Sequence, residues 1–227
     1  MRILIKNQYS NLSNDDVKWY LADEKLWITK YNEYREVEES IETSIGSFNW
    51  LYEINDTVLF HKHDKIFETA IIDLTGKIHI GILEDFFMYT ENEIKGNLLL
   101  KESENCSFEF PYPITYLKDK DWLISYSAEL KEELVLLFIV DDFAFIIIND
   151  QLEGWVLKNA SKHICTSEAN ENLYDNHIDL LVDYLYALNL WEENEENDTN
   201  LKELMDIVKT KQDTISLAIK ECITNIL

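Results

Sequence analysis

The sequence predicts an α+β fold: a largely antiparallel β-sheet body with an N-terminal helical segment and a C-terminal two-helix hairpin packed on it. Three observations lead there. Apolar residues recur every second position through most of the stretch from Phe48 to Lys158. They recur three or four apart in 33–46 and again beyond residue 170. Only five Gly and two Pro interrupt 227 residues, which leaves few places for long irregular loops. Two terminal helices cannot bury their apolar faces alone. Residues 1–227 therefore read as a single domain, with a β-rich body at about 1–165 and the helical hairpin at about 168–227.

The elements follow in order. RILIK opens as a short strand. In EYREVEESIETSIG, Tyr34, Val37, Ile41 and Ile45 share one helical face, and Gly46 stands where a left-handed helix stop is favoured. From Phe48 the period changes to two: NWLYEI, TVLFH, IFETAIID and KIHIGIL read as strands, separated by the turn signals ND, KHDK and LTG. GNLLLK, CSFEF, DWLISY, ELVLLFIV, FAFIIIND and GWVLK continue the series. LVLLFIV and FAFIII are apolar on both faces and separated by Asp141-Asp142, which predicts a hairpin in the interior of a sheet covered on both sides by the early helix and the C-terminal ones. Ile178, Leu181, Val182, Leu185 and Leu188 predict a helix over 173–191. Leu204, Met205, Val208, Ile215, Ala218 and Cys222 predict another over 200–225, with Asn200 and Glu203 resembling a capping box.

Composition narrows the function. No signal-peptide segment is visible, and the strongest apolar stretch, 134–148, is interrupted by two Asp and shorter than the ~20 residues of a membrane helix. Cys106, Cys165 and Cys222 are odd in number and widely spaced, which fits thiols in a reducing cytoplasm better than a disulfide framework. Six Trp and twelve Tyr raise sugar stacking, but Trp50, Trp122 and Trp155 lie in apolar strand patterns and Trp19 and Trp27 on expected element faces, where core packing explains them.

The motifs of nucleophilic, phosphate-binding and zinc-protease chemistry are absent. His61, His63 and Asp64, with His79, are the best metal candidates. A meander of 57–62, 65–73 and 78–83 opposes His61 to Ile66 and His79 to Ile72, on the order of 20 Å apart at ~3.3 Å per residue. The other face then collects Val58, Phe60, Phe67, Ile71, Ile78, Ile80 and Ile82 as core. No metal and no cofactor is expected. Cys106 has no local cation to activate it. Asp141/Asp142 is explained by a turn. Asp85…Glu93-x-Lys95 resembles a nuclease core only loosely, and a net charge of −24 opposes approach to a polyanion.

The uneven charge is the useful signal. Residues 1–120 hold 22 acidic and 13 basic residues, residues 121–198 hold 18 and 3, and residues 199–227 hold 4 of each. Glu171, Asp175, Asp179 and Asp183 follow one another at i+4, a ridge of like charges that costs a few tenths of a kcal/mol per pair, or roughly 0.2–0.5. Glu192, Glu193, Glu195 and Glu196 sit where a helix C-terminus prefers cations. A field concentrated at such local cost fits a surface for a strongly basic partner. The expectation is an acidic cytoplasmic binding protein: an immunity or inhibitor protein that neutralises a basic toxin, nuclease or nucleic-acid-binding protein, using these eight carboxylates, with no direct nucleic-acid or membrane contact. The alternatives are a metal-dependent hydrolase of unrecognised type and a plain scaffold subunit.

Overall fold

The computed structural model describes residues 1–8, 10–47, 56–76, 78–81, 92–101, 108–110, 112–126, 134–166, 177–193 and 198–227. Its strands are β1 Ile3–Lys6, β2 Val17–Tyr20, β3 Lys25–Ile28, β4 Ser44–Ser47, β5 Thr57–His61, β6 Phe67–Asp73, β7 His79–Ile80, β8 Glu93–Lys95, β9 Asn97–Leu100, β10 Ile114–Leu117, β11 Trp122–Ser125, β12 Val135–Phe138, β13 Phe143–Ile148, β14 Gln151–Leu157 and β15 Ile164–Cys165. Its helices are α1 Tyr34–Ile41, α2 Ile178–Glu193, α3 Thr199–Val208 and α4 Thr214–Ile226. The α+β class and the antiparallel character are those the sequence predicts.

Two sheets face each other. One runs β7-β10-β11-β14-β13-β12-β8 and the other β15-β2-β3-β6-β5-β4. Among the described residues only the pairs β7–β10, β8–β12 and β15–β2 are parallel. A ribbon of β1 and β9 joins the sheets at one side: Arg2 bridges Gln151 of β14, and Leu99 bridges Ile66 at the start of β6. Between the sheets lies one continuous apolar core in which Phe67 of β6 meets Phe145 of β13 edge-on, with ring centroids 5.2 Å apart. Helix α2 packs on β7 and α4 on β15, the edge strands of the two sheets, so the helices close the end of the sandwich and extend its core.

The β12–β13 hairpin lies where its composition demands. All six residues of β13 are buried, and β13 is the third strand from its edge. Phe143, Phe145 and Ile147 enter the inter-sheet core, while Ala144 and Ile146 join Leu136, Phe138 and Val156 in a second cluster on the other face. The early helix does not cover this hairpin. Val37 of α1 packs instead with Trp27, Leu59 and Ile71 on the outer face of the six-stranded sheet.

Other expectations need correction. Helix α1 ends at Ile41, because the hydroxyls of Thr43 and Ser44 both take the Ser40 carbonyl, at 3.0 and 2.8 Å, and compete with further helical bonds. Ile45 and Gly46 belong to β4. Gly46 adopts φ 134°, and a Cβ there would lie 2.1 Å from the Val58 carbonyl oxygen, so it is required by close approach to β5 rather than by a helix stop. In the predicted meander His61 does receive Ile66 as its partner, with its N–H 2.8 Å from that carbonyl. However, β6 has β3 and β5 as neighbours, and His79 pairs with Thr115 in the other sheet. A bulge between Leu59 and Phe60 also shifts the β5–β6 register. A one-residue shift exchanges the two faces, so Phe67 and Ile71 lie on opposite sides of the sheet, and Ile80 is 36% exposed. Ile82 lies outside the described residues.

The C-terminal region has one helix more than a hairpin. The stretch 200–225 divides into α3 and α4, because Asp213 is extended (φ −70°, ψ 155°) and its carboxylate accepts the Ser216 N–H at 2.9 Å, starting a new helix. Val208 and Ile215 are seven apart, so the apolar period runs unbroken across the interruption and conceals it. The Asn200–Glu203 box does not form, since α3 begins at Thr199. There the Asp198 carboxylate pairs with Lys202 at 2.8 Å.

Candidate functional site

Helix α2 positions the part of the acidic ridge that the structure describes. Leu181, Leu185 and Leu188 anchor one side of the helix in the core, together with Leu180, Tyr184 and Ala187. This fixes the rotation of the helix and turns Asp179 and Asp183 to solvent. The same outward face carries Tyr186, 60% exposed, and Glu193; Glu192, also exposed, stands at the helix end on the side toward Glu24. Glu171, Asp175, Glu195 and Glu196 lie outside the described residues. The structure therefore brings four of the eight predicted carboxylates onto one helix.

Two further features mark this face. Lys118, in a 3-10 turn after β10, places its Nζ 2.6 Å from Asp179 Oδ1. Its hydrogen bond and charge hold the Asp179 carboxyl below its ordinary pKa, and Asp179, followed by Asp119 and Asp183, raises that of Lys118. The repulsion between Asp179 and Asp183 is thus offset from outside the helix, by a residue 61 positions away with no local signature. The second is Tyr186, an aromatic side chain at i+7 from Asp179. The helical period places it on the same side as Asp179 and Asp183.

At the other end of α2 the field reaches the body. Glu24, half-buried in the β2–β3 turn, has its pKa raised first by burial and next by the charge of Glu192. The buried Tyr184 hydroxyl is held well above its ordinary pKa by burial, then by Cys222, with Glu24 and Glu192 adding to it. The charge at the α2 C-terminus therefore acts on the β2–β3 turn.

The remaining candidates do not converge. His61 Nδ1 lies 3.0 Å from Asp64 Oδ1, and the His61 and His63 rings are 5.6 Å apart. His79 is in the other sheet. Among the described residues no three His, Cys, Asp or Glu side chains gather where they would hold a metal ion. Asp141 pairs with Lys95 at 2.6 Å, while Asp142 points inward to His163 at 3.1 Å, so the two carboxylates diverge. Glu93 is bound by Lys158 at 3.1 Å; Asp85 lies outside the described residues. Trp19, Trp27 and Trp155 are buried core residues and Trp122 flanks the second cluster; Trp50 and Cys106 lie outside the described residues. Cys165 and Cys222 are free thiols, and burial raises the pKa of both, that of Cys222 to about 12. Neither is an activated nucleophile. Among the described residues no helix is long and apolar enough to cross a membrane. Comparison with protein-family models, with curated proteins and with solved structures returns no match to this chain.

Proposed function

We propose that this chain is an acidic cytoplasmic binding protein of the immunity or inhibitor kind, which captures a basic protein through the outward face of α2 and the α2–α3 connection. The observation behind this reading is the solvent face of α2, where Asp179, Asp183 and Glu193 lie on the same side as an exposed Tyr186, with the exposed Glu192 at the helix end, while the opposite side of the helix is locked in the core. Carboxylates in such a field accelerate encounter with a cationic surface. An exposed tyrosine among them supplies rigid, partly apolar contact area of the kind that dominates interface energies. The helix is held by buried leucines, so the face is preorganised and little ordering cost attends docking.

A basic protein, were one encoded by an adjacent gene, would be the natural probe. Stopped-flow association with it should slow by about tenfold or more when Asp179, Asp183, Glu192 and Glu193 are changed together to Asn or Gln. The salt dependence of the rate should flatten, because screening and neutralisation remove the same long-range term. Tyr186→Ala should instead raise the dissociation rate. Association at the wild-type rate by the quadruple variant, with an unchanged salt slope, would reduce the face to a solubility feature.

A further inference from the structure

Residues 108–110 form an irregular segment fastened where β4 ends, β5 begins and β6 ends. Two side chains do the fastening. The Asp56 carboxylate accepts the Phe110 N–H at 2.6 Å through one oxygen and the Asp73 N–H at 2.8 Å through the other. The Ser47 hydroxyl accepts the Phe108 N–H at 3.1 Å, and its own proton faces the carbonyls of Asp56 and Phe108 at 3.1 and 3.3 Å. Between these anchors two rings seat on the core. Phe108 meets Phe110 edge-on with centroids 5.0 Å apart, and Phe110 stacks on Phe145 of β13 at 6.3 Å. The segment thus bridges the two sheets, yet both of its rings stay only half-buried. Little apolar contact is lost if it lifts, which is the condition for an opening smaller than unfolding.

The Asp56 anchor is chemically at odds with its place. The residue is 5% exposed, and both bonds described for its carboxylate come from uncharged backbone donors. The charged groups that act on it are carboxylates: Asp73 at the end of β6 and Glu109 in the segment itself. Lys25 of β3, the cation beside Asp73, is bound to Asp73 at 2.8 Å. Burial and two like charges therefore oppose ionisation of Asp56, and a proton removes both costs. Burial accordingly pushes this carboxyl up to about 6, against the bonds from Phe110 and Asp73 and with the charges of Asp73 and Glu109 adding to the rise. Lifting 108–110 relieves the ionised form twice, since water reaches the carboxylate and Glu109 moves off. The protonated form gains nothing comparable. The rest of the sheet need not follow, because the Asp73 N–H and the β5–β6 ladder keep Asp56 in place.

We infer that residues 108–110 are a pH-sensitive strap, seated across the two sheets while Asp56 holds a proton and opening on its own more often as that proton is lost. Amide hydrogen exchange on the full chain, followed by NMR, is the test. Protection of the Phe110 and Phe108 N–H groups, corrected for intrinsic exchange, should fall about tenfold between about pH 5 and about pH 7 and level off above that. Low urea should leave this exchange unchanged while speeding that of the β13 amides, because a local opening exposes little surface. Asp56→Asn should abolish the pH dependence. Ser47→Ala, which loosens the other anchor, should speed exchange at every pH and keep the fall. The wild-type profile and Ser47→Ala decide the matter even where Asp56→Asn does not fold. Protection that is flat with pH in wild type, a fall that persists in Asp56→Asn, or exchange that follows urea as β13 does would overturn the strap.

Discussion

Two carboxylates, one buried and one half-buried, hold this molecule together in opposite ways. Asp56, 5% exposed, precedes β5 and accepts two backbone N–H groups, from Asp73 at 2.8 Å and Phe110 at 2.6 Å. Asp142, in the β12–β13 turn, accepts from Asn159 at 2.8 Å and Asn14 at 3.2 Å and faces His163 Nε2 at 3.1 Å. Both join segments distant in sequence. Burial pushes the Asp56 carboxyl up to about 6: the bonds from Phe110 and Asp73 only partly offset it, and the charges of Asp73 and Glu109 reinforce it. Burial also acts on Asp142, but the bonds from His163 and Asn159 and the charges of His163 and Lys162 outweigh it, and its pKa is lowered. His163 completes the pair by presenting its Nδ1 to the Val17 carbonyl oxygen at 3.1 Å, so both ring nitrogens face acceptors. Backbone donors alone do not offset burial at Asp56; side-chain hydrogen bonds and nearby charges do at Asp142.

The largest effect should come from breaking the compensated site. Asp142→Ala leaves His163 buried opposite nothing and releases Asn14 and Asn159, at a cost of about 3 kcal/mol in urea unfolding. Asp142→Ala combined with His163→Leu should recover part of that loss, since the stranded partner is gone. A single variant as stable as wild type would show that the pair is structurally idle. On acidification the Asp142 contribution is complete above the ordinary Asp pKa and disappears as the pH falls through its lower folded-state value.

Asp56 should behave in the reverse sense and more weakly. Its folded-state pKa lies above the unfolded one, so the folded protein binds a proton first and this group adds stability as the pH falls through about 6. The stability of wild type relative to Asp56→Asn should therefore grow by about 1 kcal/mol between about pH 7.5 and about pH 5, whatever constant cost the amide introduces. A difference that is flat with pH would place the Asp56 titration elsewhere.

The contrast also shows why some of this molecule is legible in its sequence and some is not. The β12–β13 hairpin is readable because burial on both faces leaves a continuous apolar run, a local property of residues 134–148. The class of the fold and the inward side of α2 are readable for the same reason. The strands β2, β3 and β10 are not legible because VKWY, KLWI and ITYL are only four residues each; their pairing in the sheets defines them. The β5–β6 bulge exchanges two faces without any change of residue type. Asp142–His163, Asp179–Lys118 and the Asp56 anchor of 108–110 are each assembled by tertiary contact between positions that carry no shared pattern. Of the candidate site, the acidic residues were visible in the sequence, and their compensation was not.

The smallest effect is expected from a third carboxylate, which completes the series by being exposed. Asp179 has, like Asp142, a cation beside it and a lowered pKa, but it is in full contact with solvent. Water already stabilises its charge, and screening weakens what Lys118 adds. Asp179→Asn should therefore leave the melting temperature unchanged within error, although it removes an ion pair at 2.6 Å. If the melting temperature falls as far as for Asp142→Ala, solvent exposure does not separate the two sites. The α2 face would then be a structural element rather than a surface free to meet a partner.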